Sequence, residues 1–297
     1  MSNEVVGFNY LKELYAEDED FKDAWMSGGY YKDKSVTLDD AEEAMLELYC
    51  RRAQIEDGQS ILDLGCGLGP IILHIAKKYR NCNVMGVTIS SSDKELIEEK
   101  CRCLKLCNVE IIVADITKFE TNATFDRVIL IQVLEQMKNY QQVLKLISKW
   151  LKNDGYIFVD HLCHKTFPSH NKAISEDDWF AKYIFPRIFP YDAATILSAS
   201  SLLYFQDDVE VVDHWLLNGN HYALSSREWL KRMDENADVL KGIIKEALGS
   251  EEAATKWAYY WRSFFMWGFE QFSYNDGQEW MISHILFKKP CIHSHFR

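Results

Sequence analysis

The sequence predicts an α/β fold in which helices cover both faces of a mostly parallel sheet. Short apolar runs alternate with amphipathic segments from residue 60 onward, a pattern typical of buried parallel strands joined by helices. Hydrophobic residues make up 47% of the chain and charged residues 26%, which is the composition of a globular protein. With 297 residues, the chain is long enough to build a large core.

Two helices are expected before the sheet, over residues 5–25 and 39–53. Asp39 favours a helix start near Thr37, because an acidic group stabilises the positive end of a helix. Residues 1–57 are therefore predicted to form N-terminal helices that act as a lid or as packing arms.

The core, residues 58–166, is predicted from apolar runs and the amphipathic segments between them. A short apolar run suits a strand that is buried on both faces, whereas the longer amphipathic segments suit helices. The expected strands are 60–64, 83–87, 109–114, 125–131 and 156–162, and the expected helices are 70–79, 93–106 and 140–151.

Aromatic residues are concentrated in the last part of the chain, where residues 167–297 contain 25 of the 40 Phe, Trp and Tyr. A surface does not tolerate so many large rings, so residues 167–277 are predicted to form an aromatic-rich helical cap for substrate. Helices are expected over 226–248 and 250–272. A final core strand at 279–287, within residues 278–290, and a tail at 291–297 complete the chain.

Charge and hydropathy exclude several classes of function. A net charge of −12 argues against nucleic acid as the main partner and mildly favours cationic small molecules. No stretch reaches the roughly 20 apolar residues of a membrane helix, and the N-terminus lacks a signal-peptide pattern, so a cytoplasmic protein without a membrane partner is expected. The eight cysteines are interpreted as small buried residues. We expect no metal site, and either a monomer or a homodimer.

A glycine-rich loop joins the first strand to the helix that follows it. Asp63 stands two residues before Gly65, which is followed by Gly67 and Gly69. Alternate glycines allow a sharp turn close to a ligand, and the next helix directs its N-terminal amides toward that ligand. The loop has neither the Gly-Lys-Ser/Thr ending of a phosphate loop nor the G-x-G-x-x-G spacing of a dinucleotide site. It resembles motif I of the class I S-adenosylmethionine-dependent methyltransferases, which implies a Rossmann-like fold and S-adenosylmethionine as cofactor.

The same resemblance implies positions for the rest of the cofactor. Many members of that superfamily hold the ribose with an acid at the end of the second strand. This chain has no carboxylate there, so Thr88, Ser90 and the nearby Asp93 are the candidates. Asp115 and Ile116, after the third strand, match the positions that meet the adenine. A surface turn is the structural alternative for Asp115.

Five further segments carry a second resemblance: residues 37–50, 137–140, 163–167, 204–208 and 279–281. They resemble the plant coclaurine N-methyltransferase family, which includes pavine and phenylalkylamine N-methyltransferases and is related to cyclopropane fatty acid synthases. The resemblance implies methyl transfer to the nitrogen of a small aromatic amine, either a phenylalkylamine or a tetrahydroisoquinoline alkaloid. It also implies that Ser27 lies in a segment that closes over the cofactor.

The catalytic positions depart from that family. Its members carry Glu-x-x-Glu-His after the fourth strand, where this chain has Gln132, Glu135 and Gln136. Only an unprotonated amine can attack the methyl group, and an alkylamine with a pKa of about 10 is neutral in roughly one molecule per thousand at pH 7. A glutamine can orient the amine but cannot accept its proton, so Glu135, with His161 and His164, is the leading candidate. The structural alternative for Glu135 is an acid at a helix start. For His161 and His164 it is a hydrogen bond at the end of a strand.

The substrate pocket is expected to come mainly from the aromatic cap. Residues 257–269 are apolar around nearly the whole helix, so most of their rings are expected in the core and the remainder against the substrate. Methyl or methylene transfer to a lipid, and a non-catalytic cofactor-binding role, are the alternatives. The two glutamines favour a small phenylalkylamine over a bulky benzylisoquinoline. The candidate substrate contacts are Tyr30, Tyr31, His164, Tyr204, Phe205 and Trp267.

Overall fold

The computed structural model describes residues 28–33, 35–137, 139–170, 180–184, 195–204 and 207–290. The helix expected over 5–25 lies outside them. The described α-helices are α1 (Leu38–Arg52), α2 (Pro70–Lys78), α3 (Ser91–Leu104), α4 (Tyr140–Trp150), α5 (Asn220–Glu235), α6 (Ala237–Leu248) and α7 (Glu251–Gly277). The strands are β1 (Ser60–Leu64), β2 (Asn83–Thr88), β3 (Val109–Val113), β4 (Phe125–Ile131), β5 (Leu151–His164), β6 (Ser169–His170), β7 (Thr195–Ser198), β8 (Glu210–Leu217) and β9 (Trp280–Lys288).

Parallel pairing dominates the sheet and confirms the predicted fold class. β1 pairs with β2 and β4, β3 flanks β2, and β5 flanks β4, all in parallel. β9 runs antiparallel to β5, and β8 pairs with β9. β7 pairs with β5 only at Cys163 and His164, past the point where the β4 pairing ends at Asp160. The carboxyl ends of β1, β4 and β5 therefore meet at one edge, where open parallel sheets bind ligands.

Two apolar clusters, one on each face, hold the sheet between its helices. Adjacent residues of β1 belong to different clusters: Ile61 packs with residues of α1 and the cap, and Leu62 with residues of α4. This alternation follows from the period of two along a strand. Four of the eight rings at residues 257–269 are buried, among them Trp261 and Phe265, and three more are partly buried against the same cluster, so these rings mostly pack in or against the core.

Several elements differ from the sequence-based expectation. The helix predicted over 226–248 is two helices: α5 begins at Asn220, and Asn236, with φ −110° and ψ 23°, separates it from α6. The strand β8 is not predicted; Asp213 and His214 interrupt its apolar residues, and most of its side chains are exposed. β5 begins at Leu151 rather than at 156, and β9 lies one residue later than expected. None of the described helices has the length and apolar composition that crossing a membrane requires.

Candidate active site

The loop after β1 turns through three glycines with left-handed backbone conformation. Their φ values are 81° at Gly65, 51° at Gly67 and 77° at Gly69, and few other residues adopt this region without strain. A Cβ on Gly65 would lie 2.6 Å from Cγ2 of Val133, and one on Gly69 would lie 2.8 Å from Cγ1 of Ile97. A Cβ on Gly67 would meet no described atom within 4 Å. Packing therefore requires glycine at 65 and 69, whereas Gly67 borders open space.

Asp63 places a buried acid beside this loop. The residue is 3% exposed, and its Oδ2 has no hydrogen-bond partner in the described part of the chain. Burial raises the pKa of Asp63 to about 7, because the ionised carboxylate loses its hydration. A buried acceptor without a donor is costly unless a ligand supplies one. Asp63 and the space at Gly67 therefore fit a cofactor that carries an ammonium group, as S-adenosylmethionine does.

Thr88, Ser90 and Asp93 form one polar cluster at the end of β2. The backbone N–H of Asp93 donates to Oγ of Ser90 at 3.2 Å, and this hydroxyl donates to Oδ1 of Asp93 at 3.0 Å. The hydroxyl of Thr88 donates to Oδ2 of Asp93 at 3.3 Å. The reciprocal Ser90–Asp93 pair is a helix N-terminal cap for α3. The three groups predicted to hold the ribose thus lie together, with Asp93 anchored at the helix start.

Asp115 and Ile116 follow β3 at the same edge of the sheet. Oδ1 of Asp115 accepts hydrogen bonds from the backbone N–H and the hydroxyl of Thr117, at 2.9 and 2.7 Å, which lowers the pKa of Asp115. This is the exposed turn named above as the structural alternative. Cδ1 of Ile116 lies 3.5 Å from the Cβ position on Gly65, so Ile116 borders the glycine loop. The adenine role of both residues stays a prediction.

Gln132 and Glu135 follow β4 and border the glycine loop from the other side. Glu135 lies in a short 3-10 turn, Leu134–Gln136, which Gln136 ends. Its Oε1 accepts a hydrogen bond of 2.8 Å from the backbone N–H of Leu162. Val133, which packs against Gly65, stands between Gln132 and Glu135 in the chain. The turn that carries the candidate catalytic residues is therefore in contact with the candidate cofactor loop.

Glu135 is a buried carboxyl group with one oxygen still available. Its Oε2 has no hydrogen-bond partner among the described residues. Burial raises the pKa of Glu135 to about 8, and the negative charge of Asp160 adds to the rise. A carboxyl group with a pKa this close to neutrality can both accept and release a proton under physiological conditions. A group that receives the proton of an ammonium substrate needs this property.

His161 is completely buried in β5. Its Nδ1 lies 3.1 Å from the carbonyl oxygen of Leu162 and donates to it, and burial lowers the pKa of His161 to about 4. Because side chains alternate along a strand, His161 faces the opposite side of the sheet from Asp160. Its local contact is the strand-end hydrogen bond named as the structural alternative, and its catalytic role stays a prediction.

His164 is held in a local cluster at the end of β5. Its Nδ1 accepts hydrogen bonds from the backbone N–H groups of Thr166 and Phe167, at 3.1 and 2.9 Å. Its Nε2 lies 3.4 Å from Oε2 of Glu279, and its ring stacks on Phe167 and meets the edge of Trp280. Both ring nitrogens are therefore engaged within the protein, and a substrate contact through this ring stays a prediction.

Tyr30 and Tyr31 dock against α5. The ring of Tyr30 stacks on His221 with centroids 4.8 Å apart. The backbone N–H of Tyr31 donates to Nδ1 of His221 at 3.1 Å, and its hydroxyl lies 3.2 Å from Oγ of Ser225. Burial raises the pKa of Tyr31 to about 12. The cap thus holds the end of the segment predicted to close over the cofactor, while Ser27 lies outside the described residues.

The remaining substrate candidates are in different environments. Tyr204 is 81% exposed, and Phe205 lies outside the described residues. Trp267 is half-buried and stacks on Phe180 with centroids 4.9 Å apart and on Phe264 with centroids 5.7 Å apart. These contacts place Trp267 within the ring cluster of the cap.

A buried polar network beside Gln132 is not predicted from the sequence. Its centre is Asp160 of β5, which is completely buried and accepts a hydrogen bond of 3.1 Å from the hydroxyl of Tyr49. Nε2 of His284 lies 2.8 Å from Oδ2 of Asp160, and Nδ1 of His284 lies 2.7 Å from Nη1 of Arg52. Burial raises the pKa of Asp160 to about 7. The one available signal is the position of Asp160, an acidic residue directly after the apolar run at residues 156–159.

The sheet is mostly parallel, Asp63 lies near the end of β1, and a glycine loop follows this strand. This arrangement is the Rossmann-like fold of class I S-adenosylmethionine-dependent methyltransferases. Comparison with known proteins agrees with this class. The chain belongs to the mycolic acid cyclopropane synthetase family, whose model matches residues 12–271.

Within this family, the most informative relatives are plant enzymes. The chain is 52% identical to (S)-coclaurine N-methyltransferase of Papaver somniferum, over 89% of this chain and 74% of the relative. It is 51% identical to pavine N-methyltransferase of Thalictrum flavum subsp. glaucum, over 89% of this chain and 73% of the relative. These similarities confirm the resemblance to the coclaurine N-methyltransferase family.

Solved structures show the same relationship. A crystal structure of coclaurine N-methyltransferase bound to N-methylheliamine and SAH matches with a TM-score of 0.87 and 50% identity, covering 95% of this chain and 78% of that one. Mycolic acid cyclopropane synthase CmaA1, in complex with SAH and CTAB, matches with a TM-score of 0.71 at 19% identity, covering 95% of each chain. The second match shows the shared fold alone.

Proposed function

We propose that this protein is an S-adenosylmethionine-dependent N-methyltransferase that methylates the nitrogen of a small aromatic amine, a phenylalkylamine or a tetrahydroisoquinoline. The observation that carries the proposal is Glu135: a buried carboxyl with an available oxygen, in a turn that contacts the glycine loop through Val133. The names of the relatives and the bound N-methylheliamine of the solved relative support an amine substrate.

The cofactor would lie along the carboxyl ends of β1, β2 and β3. Asp63 would bind its ammonium group, the glycine loop its amino-acid part, the cluster around Asp93 its ribose, and Asp115 with Ile116 its adenine. When bound, S-adenosylmethionine supplies a methyl group activated by the sulfonium charge. The described parts of the N-terminal region, residues 1–57, and of the cap, residues 167–277, would enclose this site and exclude water.

Glu135 would handle the proton of the amine. Its pKa of about 8 in the ligand-free protein means that it is largely protonated at pH 7. A bound ammonium lowers that pKa, because an opposite charge favours the ionised carboxylate. The carboxylate then takes the proton and leaves the nitrogen lone pair to attack. Gln132 would orient the nitrogen by a hydrogen bond without accepting a proton. The side chain of Gln136, for which the same role is expected, lies outside the described part of the structure.

Incubation with methyl-labelled S-adenosylmethionine tests this proposal. The acceptors are phenylalkylamines, tetrahydroisoquinolines and vesicles of an unsaturated phospholipid, and calorimetry measures cofactor binding in parallel. We expect label in the amines and none in the lipid. Label in lipid alone would favour the cyclopropane-synthase type of reaction. Cofactor binding without label in any acceptor would favour a non-catalytic role. A cytoplasmic location and a monomeric or homodimeric state also remain predictions.

A further inference from the structure

Gln132 is held by two hydrogen bonds to the same residue, Asp160. Ile131, the last residue of β4, pairs with Asp160 in β5, and the backbone N–H of Gln132 then donates to the Asp160 carbonyl oxygen at 2.9 Å. The side-chain amide of Gln132 also hydrogen-bonds the Asp160 carboxylate. φ at Gln132 is 52°, a conformation that costs free energy in a residue with a side chain. The contacts with Asp160 stabilise it.

The chemistry of this pair fixes the direction of the amide. Above its pKa of about 7 the Asp160 carboxyl group is mostly ionised and only accepts hydrogen bonds, and the Gln amide has donors on its nitrogen and an acceptor on its oxygen. The nitrogen of Gln132 must therefore face Asp160, and the inverted amide would place two acceptors against each other. As a result, Oε1 of Gln132 is directed away from Asp160.

Hydrogen bonds around Asp160 favour its ionised, accepting form. Arg52 can only donate, so Nδ1 of His284, 2.7 Å from its Nη1, is the accepting nitrogen. Nε2 of His284 lies 2.8 Å from Oδ2 of Asp160 but makes no hydrogen bond to it, whereas the Tyr49 hydroxyl donates to that oxygen at 3.1 Å. The hydrogen bonds from Tyr49 and Gln132 and the positive charge of Arg52 lower the pKa of Asp160, and burial raises it more strongly, to about 7.

We propose that Asp160 is a positioning residue for amine recognition: it binds the Gln132 amide nitrogen and thereby presents Gln132 Oε1 to an N–H group of the substrate. The proposal rests on the proposed N-methyltransferase function. It deepens that function, because it assigns an amine class to this chain.

The number of N–H groups on the amine decides the preference. A protonated secondary amine carries two N–H groups, and a protonated tertiary amine carries one. Glu135 uses one N–H when it accepts the proton, and only a primary or secondary amine retains another for Gln132. A site with an oriented acceptor discriminates against a substrate that lacks the matching donor. The protein therefore prefers primary and secondary amines to their tertiary counterparts.

A double-mutant cycle tests this inference on N-methylphenethylamine and N,N-dimethylphenethylamine. Asp160→Asn lets the Gln132 amide take either orientation, and Gln132→Met removes the amide at similar length. We expect each variant to lower kcat/KM for the secondary amine about 3- to 30-fold, the range of one lost hydrogen bond, with less than a twofold change for the tertiary amine. The double variant should lose no more than either single variant, because both act on one contact.

Glu42→Gln is the matched control, because it changes another buried acid, which lies in α1 and accepts a hydrogen bond from Trp229. It should keep the ratio of kcat/KM for the secondary amine to kcat/KM for the tertiary amine. Additive losses in the cycle, or equal losses for both amines, would overturn the positioning role. If Asp160→Asn does not fold, an unchanged amine ratio in Gln132→Met overturns it as well. A wild-type protein that binds S-adenosylmethionine and methylates no amine instead overturns the proposed function, and this inference with it.

Discussion

The backbone N–H of Leu162 donates a hydrogen bond of 2.8 Å to Oε1 of Glu135 and so joins the turn after β4 to the end of β5. This donor favours the ionised carboxylate, and burial opposes it more strongly, which leaves the pKa of Glu135 at about 8. The backbone of a core strand, rather than a flexible side chain, therefore fixes the position of this carboxyl group. The opposite oxygen, Oε2, is left for a ligand.

Replacement of Glu135 tests its role as proton acceptor. Glu135→Gln keeps the shape and the hydrogen bond to Leu162 but cannot accept a proton at neutral pH. We expect kcat to fall about 10²- to 10⁴-fold, the usual range for general acid–base catalysis, with little change in cofactor affinity. The matched control is Glu42→Gln, in a buried acid of α1 that accepts a hydrogen bond from Trp229. Its kcat should stay within threefold of wild type. A loss below threefold in Glu135→Gln at saturating amine would move the role to His161, His164 or solvent.

Substitution of Gly67 tests the cofactor loop. Gly67→Val should abolish S-adenosylmethionine binding in calorimetry with the fold intact, because the new side chain enters the space beside the loop that no described atom fills. Gly58→Val is the matched control: Gly58 also has a positive φ, 87°, and no neighbour within 4 Å of a Cβ, but lies in a turn before β1. It should lower the Tm and keep the affinity. Equal affinity in Gly67→Val and wild type would contradict the assignment of the loop.

The pH dependence of cofactor affinity tests Asp63. The pKa of Asp63 is about 7 in the ligand-free protein. Below pH 7 its carboxyl group must therefore lose a proton before it can bind an ammonium group as a carboxylate. We expect the affinity for S-adenosylmethionine to fall as the pH decreases from 7, approaching tenfold per pH unit for a single proton. Asp63→Asn should bind more weakly at pH 8 and lose this dependence between pH 5.5 and 7. An unchanged slope in the variant would show that another group is responsible.

The layered fold could be predicted because periodicity reports burial directly. Parallel strands such as β1 are covered on both faces and produce apolar runs, and Gly65 with Gly69 marks a turn that packing against Val133 and Ile97 demands. The edge strand β8 could not be predicted, because Asp213 and His214 divide its apolar residues, which neither form one run nor alternate with polar ones. The boundary between α5 and α6 depends on the conformation of one asparagine, Asn236, which composition does not specify.

The candidate site was predictable only in part, for a different reason. Spacing along the chain places Glu135 and Asp63 at strand ends, where a parallel sheet gathers its ligand-binding groups. Apart from Gln132, the groups around Asp160 come from α1 and β9, and Tyr49 lies 111 residues from it in the chain. Contacts at this separation depend on strand order and on which face each side chain occupies. A single sequence does not specify them.

The pH dependence of stability tests the buried carboxyl groups together. Glu135, Asp63 and Asp160 have folded-state pKa values of about 8, 7 and 7, above their ordinary values of 4.5, 3.8 and 3.8. Between pH 7 and 8.5 the three carboxyl groups are already ionised in the unfolded chain. In the folded protein they still lose protons as the pH rises through this range. Stability therefore falls as the pH rises through this range, by about 2 kcal/mol for the three groups.

Urea denaturation of the ligand-free protein at pH 7 and 8.5 measures this loss of stability. The variant Glu135→Gln removes the contribution of Glu135, which is the largest of the three. Buried thiols such as Cys163, whose pKa is also raised, act in the same direction in both proteins and cancel in the comparison. The variant should lose about 1 kcal/mol less than wild type over the interval, because the amide does not titrate. His161 has a folded-state pKa of about 4 and stays neutral throughout. Equal losses of unfolding free energy in wild type and Glu135→Gln would mean that Glu135 is already ionised at pH 7 in the folded state. Its pKa would then not be raised, and the carboxylate would hold the ammonium by charge alone.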